Sequence, residues 1–301
     1  MKENILVVGG TGFLGYHLCK SLLKKNFNIT VVSLKPPKKL RFLNKIKYIR
    51  CNIAEKKQVK KKLRNNYSYV FNLGGHVDHK NKKKTMLSHY NGTKNLVNHI
   101  TNSKLKLFLQ IGSGLEYGKN KSPQIEKNIS KPISNYAKAK YYASRFLLEN
   151  NKKKRFPCVI VRPYQVYGPK QDTNRIIPIV INGCLKNISF PCSSGKQYRD
   201  FLYVDDFNNF LLKVLKNKKK CLGQIFKVGI GKAYKIKKII NFIHKKINKG
   251  QPMFGKIKLR AEESEKLFPS IKKAKKILNW TPRISIEKGL IKTINSYRKE
   301  F

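Results

Sequence analysis

The sequence predicts an α/β fold in which a doubly wound parallel sheet precedes a smaller, irregular C-terminal lobe. Three observations support this fold class. Apolar runs alternate with helical patterns through the first half, a glycine-rich turn follows the first apolar run, and prolines divide the second half into short elements. Strands and helices that alternate in this way form parallel sheets that are covered on both faces.

The first apolar run and the first helical pattern are joined by a glycine-rich turn. The run covers residues 5–8, and a helical pattern begins at Leu14. Between them, Gly9, Gly12 and Gly15 recur at every third position. Glycines permit a tight turn and a close approach of the backbone to a ligand, and a helix N-terminus attracts phosphate. This position favours a dinucleotide-binding site over an ordinary βα turn.

The alternation continues as far as residue 162. Strands are predicted at residues 29–34, 46–51, 69–73, 105–111 and 158–162, and helices at 56–64, 86–101 and 134–149. The Rossmann arrangement is the simplest sheet that these elements can form, and it binds its ligand at the carboxyl ends of the strands.

Shorter elements follow in the second half. Helices are predicted at residues 175–186, 205–215, 236–247 and 286–297, and short strands at 197–201, 225–228 and 256–259. We therefore predict a dinucleotide-binding domain at residues 1–165 and a substrate lobe at residues 166–301. No clean linker separates them, so we expect one packed body with chain exchange between the two parts.

The composition excludes several classes of protein. No apolar stretch approaches the roughly 20 residues that a membrane span needs, and the N-terminus does not resemble a signal peptide. The six cysteines form no C-x-x-C pair, and the six histidines show no metal-ligand spacing. We therefore expect a cytoplasmic protein in a reducing compartment, without a membrane partner and without a metal site.

The net charge of +52 raises the question of nucleic-acid binding. The lysines are spread over nearly every segment, and no basic tail or basic helix stands apart. This distribution favours a cationic, solvated surface over a nucleic-acid site. The charge should still attract a small anionic substrate.

A tyrosine and a lysine near the start of the predicted helix 134–149 are candidates for catalysis. Tyr136 and Lys140 are four residues apart and share one helix face. A nearby ammonium would lower the pKa of the phenol and make it useful for proton transfer. The same spacing recurs elsewhere in this lysine-rich chain, so position decides. Here Ser113 follows the predicted strand 105–111 and places a hydroxyl where sheet ligands bind.

The ordered motifs resemble the extended short-chain dehydrogenase/reductases, specifically the NAD-dependent epimerase/dehydratase group that acts on nucleotide sugars. Besides the glycine turn and Tyr136-x-x-x-Lys140, they are Ser-Gly-Leu-Glu-Tyr-Gly at 113–118, Arg-Pro-Tyr-Gln-Val-Tyr-Gly-Pro at 162–169, Arg-Asp-Phe-Leu-Tyr-Val-Asp-Asp at 199–206 and Leu-Asn-Trp-Thr-Pro at 278–282. The resemblance spans essentially the whole chain. Residues 254–260 and 280–282 are similar to nucleotide-linked 4-keto-6-deoxysugar reductases of the abequose-synthase type.

The resemblance implies a role for each candidate residue. Tyr136 would be the general acid or base on a sugar oxygen, and Lys140 would hold the nicotinamide ribose and lower the pKa of Tyr136. Ser113 would hydrogen-bond to the same sugar oxygen during hydride transfer, usually at carbon 4. Arg199 and Arg260 would bind the pyrophosphate of a nucleotide-diphosphate sugar.

The resemblance also implies a cofactor site and bears on the choice of cofactor. The implied site consists of Gly9, Gly12, Phe13, Leu14, Gly15, Ser33, Lys35, Asn52, Ile53, Leu73, Gly74, Gly75, Tyr136, Lys140 and Pro163. Members that use NAD usually carry an acidic residue where this chain has Ser33. Serine with Lys35 nearby would accept a 2′-phosphate, so we prefer NADP to NAD.

One departure from the family narrows the reaction. Sugar-nucleotide 4,6-dehydratases place an Asp-Glu pair after the serine or threonine, whereas this chain has Gly114 and Leu115. Neither residue can act as acid or base, which disfavours dehydration. Net reduction of a 4-keto-6-deoxysugar for surface polysaccharide precursors is the preferred interpretation, and 4-epimerisation is the alternative.

Two further expectations follow from the resemblance. A non-catalytic, NAD(P)-binding regulator is a third possibility, which the intact Ser113, Tyr136 and Lys140 oppose. Members often form homodimers through two helices of each subunit. In this chain, the helix that carries Tyr136 and the helix at residues 86–101 would form such a bundle.

Overall fold

A central parallel sheet organises the computed structural model, which describes residues 2–76, 81–101, 104–259 and 263–301. In chain order, the strands are β1 (Glu3–Val8), β2 (Phe27–Ser33), β3 (Lys47–Arg50), β4 (Tyr69–Asn72), β5 (Leu107–Ile111), β6 (Cys158–Pro163), β7 (Gln165–Tyr167), β8 (Ser189–Pro191), β9 (Tyr198–Arg199), β10 (Phe201–Tyr203), β11 (Gln224–Val228), β12 (Tyr234–Lys235), β13 (Gln251–Met253) and β14 (Lys266–Leu267).

Helices cover the sheet and form much of the second half. They are α1 (Phe13–Leu22), α2 (Lys56–Lys62), α3 (Lys82–Met86), α4 (Gly92–Ile100), α5 (Asn135–Lys154), α6 (Ile176–Leu185), α7 (Val204–Lys216), α8 (Lys218–Cys221), α9 (Ile236–Ile247), α10 (Lys272–Leu278) and α11 (Ile286–Arg298). A π-helical turn, Leu87–Asn91, joins α3 to α4, and short 3₁₀ turns occupy Lys39–Arg41 and Gly114–Tyr117.

The main sheet has seven parallel strands in the order β3-β2-β1-β4-β5-β6-β11. Strand β1 is central, and its alternate side chains enter two separate cores. Ile5 and Val7 belong to the larger core, while Leu6 and Val8 belong to the smaller one. A strand buried on both faces reads as a continuous apolar run, which explains the pattern at residues 5–8. The predicted doubly wound Rossmann sheet is confirmed.

Strand β11 crosses the boundary that we predicted at residue 165. The sequence assigned residues 225–228 to the substrate lobe, yet β11 pairs with β6 along its length and forms an edge of the main sheet. Helix α7, which precedes it, packs against α1. The second half of the chain therefore returns to the first, as chain exchange requires, and the division into two parts stays a prediction.

Two predicted strands in the second half differ from the structure. No strand forms at residues 256–259: β13 ends at Met253, Gly255 has a φ of +84°, and Ile257 and Leu259 are about half exposed. An alternating pattern of apolar and charged residues therefore marked an exposed turn. The predicted strand 197–201 divides into β9 and β10, which join different sheets on either side of Asp200.

Asp200 explains that division. Its side chain is fully buried, and its carboxylate accepts hydrogen bonds from the backbone N–H groups of Ile230 and Gly231 at 2.9 and 2.8 Å. Burial raises its pKa to about 7, and those hydrogen bonds oppose the increase. The residue thus joins the β9–β10 corner to the loop after β11.

The structure bears on two further expectations, which concern membrane spans and the cysteines. Across the part of the chain that the structure describes, no helix combines the length and the apolar character of a membrane span. The six cysteines are free and buried. Burial raises the pKa of the Cys19 and Cys158 thiols to about 12, so these thiols are poor nucleophiles.

Candidate active site

A cleft of about 870 Å³ opens at the carboxyl ends of the central strands. The residues that the sequence assigned to the cofactor all line it: Gly9, Gly12, Phe13, Leu14, Gly15, Ser33, Lys35, Asn52, Ile53, Leu73, Gly74, Gly75, Tyr136, Lys140 and Pro163. Ser113 and Arg199 line the same cleft, whereas Arg260 lies outside the described residues. One cavity therefore brings together the described candidate residues from both halves of the chain.

The glycine turn packs closely against the protein's own backbone. Gly9 has a φ of +76°, and a Cβ on it would lie 3.0 Å from the backbone of Gly74. A Cβ on Gly15 would lie 2.4 Å from the carbonyl oxygen of Gly9. Helix α1 starts directly after Gly12 with neither a side-chain cap nor an acidic residue in its first turn. Its free N–H groups and positive end fit the pyrophosphate of a dinucleotide.

The end of β2 is polar, and an exposed lysine that lines the cleft follows it. The Ser33 hydroxyl lies 3.4 Å from the Thr11 nitrogen in the glycine turn and donates a hydrogen bond to the Val32 carbonyl. Lys35 is exposed and lines the cleft. Arg41 is buried and is paired with Asp172 at 2.9 Å. Of these two cations, Lys35 is therefore the one that can receive a ligand phosphate.

The three predicted catalytic side chains meet at the end of β5. Ser113 begins the 3₁₀ turn Gly114–Tyr117, and its side chain hydrogen-bonds to that of Tyr136. Lys140 Nζ donates a hydrogen bond of 2.7 Å to the Ile111 carbonyl and lies 5.8 Å from the centre of the Tyr136 ring. Ser134 caps α5 by accepting the Ala137 N–H, which sets the start of the helix.

The pKa of Tyr136 differs in direction from the sequence-based expectation. Burial raises it to about 12, and this effect outweighs the charge of Arg175 and the hydrogen bond with Ser113, which both lower it. Burial lowers the pKa of Lys140 to about 8. The phenol is therefore protonated at neutral pH and is suited to donate a proton.

The sequence interpretation missed a buried ion pair behind Ser113. Glu116 and Arg162 form a contact of 2.5 Å, and both side chains are at most 3% exposed. Ser113-x-x-Glu116 has the spacing of a capping box, a local signal that could have identified half of the pair. Arg162 lies on β6, 46 residues away, and no local pattern links it to Glu116.

Arg199 is held in place by several partners. It is 5% exposed, and Nη1 donates to the carbonyl oxygens of Tyr198 and Glu265. Nη2 pairs with the carboxylate of Glu263, which also lines the cleft. This arginine is positioned to bind an anion, but an incoming anion would compete with Glu263.

The described residues offer no metal centre. Among residues 2–76, 81–101, 104–259 and 263–301, no cluster of three or more histidine, cysteine or acidic side chains could hold a metal ion. The cleft instead presents backbone N–H groups, hydroxyls and cations. These groups suit an anionic, phosphate-bearing ligand.

Comparison with known proteins identifies the family. The profile of the NAD dependent epimerase/dehydratase family matches residues 5–229, about three quarters of the chain. The chain belongs to this family. The resemblance inferred from the motifs is confirmed, and the match covers both the glycine turn and the Ser113, Tyr136 and Lys140 set.

Relatives with different reactions are similar over nearly the full length. A Methanocaldococcus jannaschii protein, provisionally named a UDP-glucose 4-epimerase, is 27% identical and covers 97% of each chain. Human dTDP-D-glucose 4,6-dehydratase is 27% identical over 99% of this chain and 91% of its own. CDP-abequose synthase from Salmonella muenchen is 25% identical over 98% of each. Relatives at 25–27% identity therefore carry the names of three different reactions.

A solved structure supports the same fold. The X-ray structure of Pal from Bacillus thuringiensis has a TM-score of 0.91 and is 28% identical, covering 99% of this chain and 100% of that one. The similarity extends through the irregular second half as well as the central sheet. The architecture of the extended short-chain dehydrogenase/reductases is therefore present over essentially the whole chain.

Proposed function

We propose that this protein is an NAD(P)-dependent nucleotide-sugar oxidoreductase that reduces a 4-keto-6-deoxysugar at carbon 4. One observation carries the proposal: Ser113, Tyr136 and Lys140 meet beside the glycine turn in a single cleft, and Gly114 and Leu115 follow the serine. Surface polysaccharide precursors are the products that such a reduction would supply.

The side chains of the cleft support distinct tasks. Tyr136, protonated at neutral pH, would donate its proton to the oxygen at carbon 4, and Ser113 would hydrogen-bond to that oxygen. Lys140 would orient the bound ribose from its buried position beside Ile111. A bound dihydronicotinamide would supply the hydride. The glycine turn and the N-terminus of α1 would hold the pyrophosphate.

The pairing of the acidic residues in the cleft argues against dehydration. Among the described residues that line it, the carboxylates are Asp172 and Glu263. Each is paired with an arginine, Asp172 with Arg41 and Glu263 with Arg199. Leu115, the second residue after Ser113, is 39% exposed and lines the cleft with an apolar side chain. Removal of water needs an acid and a base beside the sugar, and neither Gly114 nor Leu115 can act as one.

Arg199 supports a nucleotide diphosphate as the carrier of the sugar. Its guanidinium lines the cleft and already binds a carboxylate, Glu263. A pyrophosphate offers more acceptor oxygens in the same space, and arginine pairs with such oxygens in a bidentate manner. The net charge of +52 would raise the local concentration of this anionic substrate.

A 4-epimerase is the second candidate. The similarity to the Methanocaldococcus protein over 97% of each chain favours it, and it needs the same serine, tyrosine and lysine. Epimerisation recycles the dinucleotide in place, whereas reduction releases an oxidised one. A non-catalytic regulator would need none of the three side chains, so their meeting in the cleft argues against that role.

One experiment separates the candidates. The protein is incubated with a panel of nucleotide-linked 4-keto-6-deoxysugars and either NADPH or NADH, and the absorbance at about 340 nm is followed. Stoichiometric loss of absorbance is expected for the reductase. No loss, combined with inversion of carbon 4 in an ordinary UDP-sugar, would identify the epimerase instead.

We also propose that NADPH is preferred to NADH. Ser33 ends β2 without the carboxylate that would repel a 2′-phosphate, and the exposed Lys35 lines the same part of the cleft. Dissociation constants for NADPH and NADH, measured by fluorescence titration, test this preference. Tighter binding of NADH would contradict it.

A second copy of the chain is the proposed partner for the outer face of α5 and of the π-helical turn that leads into α4. Tyr142 is 43% exposed and Leu87 is 36% exposed. Tyr90 and Tyr142 contact each other at 5.9 Å between ring centres, which makes the exposed surface aromatic. Sedimentation measurements should show a dimer that Tyr142→Glu dissociates. A monomeric wild-type protein at micromolar concentration would contradict this proposal.

A further inference from the structure

A buried carboxylate lies directly behind the proposed catalytic serine. Glu116 has no exposed surface. Its Oε1 atom accepts the Ser113 backbone N–H at 2.8 Å, and Ser113 Oγ accepts the Leu115 N–H at 3.2 Å. These reciprocal bonds fix both the backbone and the side chain of Ser113 at the end of β5.

Arg162 pairs with this carboxylate. Its Nη2 atom donates to Glu116 Oε2 at 2.5 Å in the interior. The guanidinium also lies 4.5 Å from the centre of the Tyr117 ring, and Nη1 lies 3.3 Å from Ser130 Oγ. Burying a carboxylate costs free energy unless it is paired and hydrogen-bonded, and Arg162 supplies that partner beside the cleft.

The adjacent backbone leaves room for the carboxylate. A Cβ on Gly112 would lie 2.4 Å from Glu116 Oε1, so a larger residue there would displace it. Gly112, Glu116 and Arg162 thus form a matched set on the end of β5, the 3₁₀ turn and β6. A simple helix cap would not require a buried arginine as well.

The charge of Glu116 affects the pKa values of the two other proposed catalytic groups, Tyr136 and Lys140. Burial lowers the pKa of Lys140, and Glu116 opposes this effect. Burial raises the pKa of Tyr136, Arg175 and the Ser113 hydrogen bond lower it, and Glu116 raises it further. The His89 ring also packs edge-on against Tyr136 at 5.2 Å.

We propose that Glu116 is a positioning residue: held by Arg162, it fixes the Ser113 hydroxyl toward the reacting oxygen and keeps a buried carboxylate within electrostatic reach of Tyr136 and Lys140. The catalytic part of this inference rests on the proposed function. The placement of Ser113 and the electrostatic effect are properties of the protein without substrate, so they can be measured separately.

The first test is the titration of Lys140 in Glu116→Gln, which retains an acceptor oxygen for Ser113 but removes the charge. Nuclear magnetic resonance of ¹³C-labelled lysine side chains follows the titration, and Lys140→Arg assigns the signal. Loss of a negative charge lowers the pKa of a nearby ammonium, so the Lys140 midpoint should fall by about half a pH unit or more.

Two controls separate this effect from general disturbance. Burial lowers the pKa of Lys227 to about 7, and its charged neighbours are Glu126 and Arg162 rather than Glu116, so its midpoint should stay constant. Glu149→Gln removes a carboxylate from α5 that pairs with Arg145 at the surface. This variant should leave the Lys140 midpoint unchanged.

The second test is kinetic. With an accepted sugar, Glu116→Gln should lower kcat about tenfold and leave KM within about twofold, because positioning acts on the transition state. The alkaline limit of the kcat profile should move to lower pH, because the pKa of Tyr136 falls when the negative charge is removed. A purely structural cap would lower the stability without moving this limit.

The double variant Glu116→Gln/Arg162→Gln covers the case in which the single variant does not fold. Removal of both charges avoids an unpaired buried arginine, and the same Lys140 titration and kinetics apply. Glu149→Gln is then the control, because loss of Arg162 should itself raise the Lys227 midpoint. A folded variant with an unchanged Lys140 midpoint and an unchanged kcat profile would overturn the inference. A wild-type protein without turnover would contradict the proposed function alone, since the Lys140 titration needs no substrate.

Discussion

The glycine turn at residues 9–15 and the segment around Arg199 line the same cleft but are held by different forces. Backbone geometry holds the first. The Gly9 N–H donates to the Val32 carbonyl at 2.7 Å, the Gly12 N–H donates to the Gly9 carbonyl at 3.1 Å, and Gly15 packs too tightly for a Cβ. This half of the cleft is therefore preformed by the sheet and by α1.

Side-chain charge holds the second. Arg199 lies on the two-residue strand β9, and it pairs with Glu263 and with two backbone carbonyls. A ligand anion can displace the Glu263 carboxylate from Arg199, whereas no ligand group can take the place of the backbone of the glycine turn. We therefore expect substitutions to act through steric fit in the proposed dinucleotide half of the cleft and through charge in the proposed sugar half.

The largest expected effect is on turnover, and it concerns Tyr136, where the two halves of the cleft meet. Tyr136→Phe should lower turnover by about 10²- to 10⁴-fold, because it removes the proton donor. Dinucleotide affinity should change little, since the glycine turn is untouched, and a fluorescence titration with NADPH is the control. Turnover within tenfold of wild type would show that Tyr136 does not transfer the proton.

Gly15→Ala should test the steric half. The new Cβ would lie 2.4 Å from the Gly9 carbonyl oxygen, so the turn must shift. We expect dinucleotide affinity to fall about tenfold or more and the free energy of unfolding to fall by about 1–3 kcal/mol. Gly12→Ala is the matched control, because its Cβ would lie 3.3 Å from the same oxygen and should cost less. Equal losses in both variants would contradict the steric explanation.

Arg199→Gln should test the charged half. The variant removes the cation but keeps a polar side chain, so KM for the nucleotide sugar should rise about tenfold while dinucleotide affinity stays constant. Glu263→Gln should act in the opposite direction and lower KM about two- to threefold, because it frees Arg199. If both variants raise KM, Glu263 supports the site rather than competing with the substrate.

The smallest expected effect concerns Lys35. Lys35→Ala should reduce the preference for NADPH over NADH about threefold, the loss expected for one exposed cation beside a phosphate. The effect should weaken in high salt. Lys38→Ala is the control: it removes an equally exposed lysine that does not line the cleft. The same change in both variants would indicate background charge rather than recognition.

Much of this organisation could be read from local patterns. Strand, turn and helix around Gly9, Gly12 and Gly15 are encoded within about 15 consecutive residues, and the i, i+4 spacing of Tyr136 and Lys140 specifies one helix face. The order of the motifs then identified the family. Local periodicity was less reliable at residues 256–259, where an alternating pattern predicted a strand but the structure has an exposed, irregular segment.

Other features depended on contacts between distant segments. The sequence determined most strands and helices, the glycine turn and the identity of the catalytic candidates, because each depends on short motifs and on their order along the chain. Only the tertiary structure brought Glu116 to Arg162, 46 residues away, and Arg199 to Glu263, 64 residues away. It also returned β11 to the main sheet and raised the pKa of Tyr136 through burial. Ion pairing and desolvation depend on what surrounds a side chain in space, and periodicity along the chain carries no record of those surroundings.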